Sequence, residues 1–146
     1  MFGKILVLIA TFVMVACAHV KEAKDTPVDP VTEDMASCDL SFPKSTLCAS
    51  FNWEKKPTET DAGSFVLEFH GDLDPSQFVD LIVPLHVVLW MPSMGHGSSP
   101  VTIDHLGMGQ YRVSKVFFSM RGEWEIRIQL KRGDAVVEQA VTSVRH

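Results

Sequence analysis

From Trp124 to Lys131 the chain alternates without a break, with Trp124, Ile126, Ile128 and Leu130 set against Glu125, Arg127, Gln129 and Lys131. A period of two sends the two sets to opposite faces of a β-strand, so this segment belongs half-buried in a sheet. Phe65, Leu67 and Phe69 alternate in the same way with Val66, Glu68 and His70. Val79, Leu81, Val83, Leu85, Val87, Leu89 and Met91 form one wholly apolar parity. Pro84 should divide that run, because proline donates nothing to a ladder. Tyr111–Ser119 and Ala135–Val144 read as two more strands and Val101–His105 as a short one. Gly71-Asp72, Pro92-Ser93, Gly107-Met108-Gly109, Arg121-Gly122 and Gly133-Asp134 supply turns between them. No stretch carries a convincing amphipathic helix. Six or seven short strands predict an all-β domain over residues 38–146, an immunoglobulin-like antiparallel β-sandwich of about seven strands.

The N-terminus reads as an address. Lys4 is followed by an apolar run from Ile5 to Ala16, broken only by Thr11. As a helix that run spans about 18 Å, short of a bilayer core, which fits a cleaved secretory signal over residues 1–16. Met14-Val15-Ala16-Cys17 resembles a bacterial lipobox, with Met14 where leucine is usual. The resemblance implies cleavage before Cys17, a diacylglyceryl group on its sulfur and anchoring in the lipid bilayer by more than one acyl chain. Ala18 after the cysteine implies the periplasmic face of the outer membrane. The competing reading is an ordinary secretory signal with a chance cysteine at its end.

Residues 17–37 hold Lys21, Glu22, Lys24, Asp25, Asp29, Glu33 and Asp34 with Pro27 and Pro30, and no apolar period. Such a segment cannot bury enough surface to order itself and reads as a tether with a reach of about 25 Å. Cys38 and Cys48 are then the remaining pair in an oxidising compartment, which predicts a disulfide. A Cys-x9-Cys metal or redox pair is the alternative, although redox motifs place their sulfurs closer. The formal charge of −5 and the absence of any basic run beyond two residues argue against a nucleic-acid partner.

Met91-Pro92-Ser93-Met94-Gly95-His96-Gly97, then Tyr111, then Phe118-Ser119-Met120-Arg121-Gly122-Glu123-Trp124, is the most distinctive combination in the chain. It resembles the YtkA-like domain family, related to FixH-like periplasmic domains, over about residues 60–145. The resemblance implies an exported immunoglobulin-like domain found near copper handling or oxidase maturation, with no settled biochemical activity.

The residues also suggest chemistry on their own. Thioethers and imidazole are neutral, soft or borderline ligands suited to Cu(I). If consecutive strands run antiparallel, the 92–100 loop and the 120–123 loop fall at one end, joined there by His146. The 106–110 turn falls at the other, with His105, Met108 and His70. Met91, Met94, His96 and Met120 are therefore the candidate metal ligands, with Trp124 closing one side. The competing assignment is structural: Met91 in the core, Met120 packed under Trp124, and His96 bonded within its own loop. His86, in mid-strand, reads as structural and His19 as solvated. Ser98, Ser99 and Asp104 lie near His96, but no strand-elbow-helix context positions a nucleophile, and the chain does not read as an enzyme. Two roles follow: a lipid-tethered copper-binding module, or a non-metal module docking an unknown envelope protein.

Overall fold

A computed structural model describes residues 38–146, so the signal segment 1–16, Cys17 and the tether 17–37 lie outside the described residues. Nine strands follow in order: β1 (Leu40–Phe42), β2 (Leu47–Lys55), β3 (Gly63–Gly71), β4 (Leu85–Met91), β5 (His96–Gly97), β6 (Thr102–Gly107), β7 (Gln110–Val116), β8 (Glu123–Arg132) and β9 (Ala135–Arg145). They form two antiparallel sheets, ordered β1-β2-β3-β7-β6 and β5-β4-β8-β9. The fold is the expected all-β sandwich.

Alternation builds the core. Trp124, Ile126, Ile128 and Leu130 of β8 are fully buried and face Phe65, Leu67 and Phe69 of β3, also fully buried, within one apolar cluster. Each such side chain contributes about 1.5–3 kcal/mol when removed from water. Val87, Leu89 and Met91 of β4 complete the cluster from the second sheet. Cys38 and Cys48 are joined as a disulfide with Cα atoms 5.1 Å apart, which pins the chain entering β1 against β2. Closing so short a loop stabilises by about 3 kcal/mol on the loop-entropy account.

Three features depart from the sequence expectation. Leu40–Phe42 and Leu47–Lys55 are strands outside the expected set, and β5 is a two-residue strand inside what reads as a loop. Residues 79–83 are not a strand: they form a strap across one end, held by Val79 N–H to the Phe69 carbonyl and Leu81 N–H to the Tyr111 hydroxyl, each 2.9 Å. Finally, β7 carries a bulge. Gly63 pairs with Val116 but Phe65 with Val113, so β7 has one extra residue there, and Lys115 adopts φ 60°. The bulge switches the inward parity from Tyr111 and Val113 to Val116 and Phe118, all four buried. That switch delivers the 117–122 loop over the end of the sandwich.

Candidate functional site

The end reached by that loop also receives the turn after β4. Met91 pairs with His96 across the β4–β5 hairpin. The turn closes through the Met91 carbonyl, which accepts from Met94 N–H at 3.2 Å and Gly95 N–H at 2.9 Å, with Gly95 at φ 66°. The Ser98 hydroxyl donates to the Phe117 carbonyl and so ties this hairpin to the 117–122 loop. Trp124 Nε1 donates to the Met120 carbonyl at 2.9 Å, fixing the loop above the buried indole. The His96 ring meets the Trp124 ring edge-on, with centroids 6.1 Å apart.

The C-terminal strand closes the rim. Gly122 and His146 exchange both backbone hydrogen bonds at 2.9 Å, and the His146 ring lies 5.4 Å from that of Phe118. Glycine is required at 122: its φ is 147°, and a Cβ there would collide with Met91 Cε. Beside the rim Arg121 forms an ion pair with Glu59, and the Arg121 hydrogen bond and charge hold the Glu59 carboxyl below its ordinary range.

The four candidate ligands differ in what they present. Met94 is 60% exposed and Met120 39% exposed, whereas Met91 is 5% exposed and packs in the core cluster. His96 is half-buried, and its Nδ1 lies 3.1 Å from the Gly97 carbonyl. A carbonyl only accepts, so Nδ1 carries the proton, and in the neutral ring the lone pair sits on Nε2. This is the loop hydrogen bond that the structural assignment of His96 expects, and it leaves Nε2 as the ring nitrogen open to a metal. Metal-ligating histidines commonly hold their second nitrogen in this way. Met94, His96 and Met120 can offer soft donors at the surface, with Met91 behind them.

Elsewhere, His86 is exposed on the outer face of its sheet, with Nδ1 3.2 Å from Gln129 Oε1. His105 lies at the opposite end, 2.8 Å from Asp80 and stacked on Tyr111 at 4.7 Å. Among the described residues, one group of histidine, cysteine or acidic side chains brings its ligand atoms within 4.8 Å of one another: Cys38, Cys48 and Asp72. Both of its sulfurs are consumed in the disulfide. Sequence reasoning had no access to the Ser98–Phe117 tie, which depends on the β7 bulge. The approach of Met91 to Gly122 likewise has no signal in the sequence.

The family model described as YtkA-like matches residues 54–129, just over half of the chain. The match runs from the end of β2 into β8 and includes Met91, Met94, His96, Met120 and Trp124. It excludes the disulfide, β1, β9 and His146. No curated protein and no solved structure matches the chain.

Proposed function

The chain belongs to the YtkA-like family, and on that premise we propose that it is a lipid-tethered module of the bacterial envelope that binds Cu(I) at the Met/His rim. Copper is its cargo, taken up for metal handling or oxidase maturation. The observation that carries this reading is His96: a ring anchored through Nδ1, with its Nε2 lone pair uncommitted, in a hairpin that also carries the exposed Met94 and is tied to the loop bearing Met120. Neutral donors of this kind suit Cu(I), which they hold without a compensating charge. Trp124, wholly buried beneath them, keeps the Met120 loop in place. The Lys4 to Ala16 segment followed by Cys17 supports delivery to the envelope and acylation.

Titration of the chain with Cu(I) under ascorbate tests the reading. One equivalent should bind, and uptake should be lost in both Met94→Ala and His96→Ala while His86→Ala binds as the parent does. Unchanged uptake in both rim variants would overturn it. For the anchor, Cys17→Ser should release the protein from the membrane fraction or leave its signal uncleaved. An intact mass showing an unmodified N-terminus at another residue contradicts acylation. A second reading, docking to an envelope protein without metal, draws on the burial of Met91 and on the backbone role of Met120 in holding Trp124.

A further inference from the structure

At the end opposite the rim, the strap 79–83 leaves a hollow of about 360 Å³ between the sheets. Leu47 of β2, Leu130 of β8 and Val137 of β9 form its walls, and Leu81 and Val83 of the strap form its cover. Leu81 and Val83 are only half-buried, so the strap does not fill the space it crosses. The volume falls in the range of small-molecule sites, roughly 300–1,000 Å³, and aliphatic walls with a few polar groups at the mouth are their usual make-up.

Two cations and one carboxylate line the mouth. Lys44 and Arg132 line it, and among the described residues neither has a carboxylate partner; Lys44 Nζ reaches only the Val137 carbonyl, at 3.4 Å. The one lining carboxylate, Asp80, is engaged through Oδ1 by Gly109 N–H at 2.6 Å and His105 Nε2 at 2.8 Å. Glu138, nearby on β9, is turned to the 43–46 turn, where it accepts from Lys44 N–H and the Ser45 hydroxyl, each at 2.7 Å. In a chain of formal charge −5, two unpaired cations beside an aliphatic hollow form a complementary site for an anion with an apolar tail.

We propose that this hollow binds a single-chain anionic amphiphile of fatty-acid type, with its acyl chain beneath the strap and its carboxylate between Lys44 and Arg132. The site is separate from the rim and does not depend on metal. Decanoate below its micellar concentration is the probe, added to methyl-labelled full chain carrying Cys17→Ser so that no acyl group of the protein competes. The methyl resonances of Leu81, Val83 and Val137 should shift and saturate, while those of Met94 and Met120 stay fixed. Lys44→Gln with Arg132→Gln should weaken decanoate by about tenfold or more, the scale of lost charge-assisted hydrogen bonds. Three results overturn the proposal: no saturable shift at the strap, equal binding of uncharged decanol, or strap shifts that follow protein concentration without decanoate, which would make a second copy the occupant.

Discussion

At the rim, polar and soft side chains sit on short loops over Trp124 and Phe118, which are buried with their rings tilted at 35° and centroids 5.3 Å apart. At the opposite end the chain crosses on an irregular strap over an open hollow, with Val79, Leu81 and Val83 half-buried and Ile82 exposed. The first end has a buried aromatic floor, donors above it and smaller hollows of about 140 and 250 Å³ at its side; the second holds a larger, mainly aliphatic hollow of about 360 Å³. Close packing normally removes such space. The contrast teaches that one sandwich can close one end on a buried aromatic floor and leave an open aliphatic hollow at the other.

The largest effect should come from removing the platform. Trp124→Ala should cost about 3–5 kcal/mol in denaturant unfolding, and should free the Met120 loop while leaving the strap methyls near their parent positions. Equal disturbance at both ends would erase the contrast. Breaking the Cys38–Cys48 bridge as a paired serine variant should cost about 3 kcal/mol by the same measurement, with the larger disturbance at the strap end, where Leu47 beside Cys48 walls the hollow. If alkylation without reductant labels both thiols in native protein, the bridge is absent. Gly122→Ala should cost about 1–3 kcal/mol, because Met91 must give way and the backbone must hold φ 147°. It should also displace His146 from its pairing, visible in amide exchange at 122 and 146.

The smallest effect is the pH response of the strap end. Gly109 N–H and then His105 hold the Asp80 carboxyl below its ordinary range. A depressed folded pKa adds stability above the unfolded value and loses it as pH falls through the folded one. Acidification below the ordinary aspartate range should therefore loosen the 107–109 hairpin, and Asp80→Asn should remove that dependence. Hairpin amide exchange that is flat through this range in the parent would contradict it.

Much of this was legible from alternation alone. Period two on β3, β4 and β8 fixes which side chains meet, and antiparallel order puts the 92–97 and 117–122 loops at one end. The cysteine count yields the bridge. What escaped was where local irregularity decides. The β2 alternation of Leu47, Ala49, Phe51 and Trp53 was readable but lies beyond the recognised motifs. The parity switch at Lys115 depends on a bulge that pairing with β3 imposes, and nothing in the pattern of β7 alone requires it. The strap keeps a strand-like apolar parity through Val79, Leu81 and Val83 yet leaves the sheet ahead of Pro84, so periodicity misreads it. Ring orientation at His96 is also beyond sequence, since either nitrogen could have met the loop.

That ring is where the central claim is most directly tested. Long-range proton–nitrogen correlation of the His96 imidazole, recorded before and after one equivalent of Cu(I), reads both nitrogens separately. The account predicts Nδ1 protonated throughout, bonded to Gly97, and a large shift of Nε2 alone on metal addition. A protonated Nε2 in the free protein, or an imidazole unmoved by copper, would contradict it.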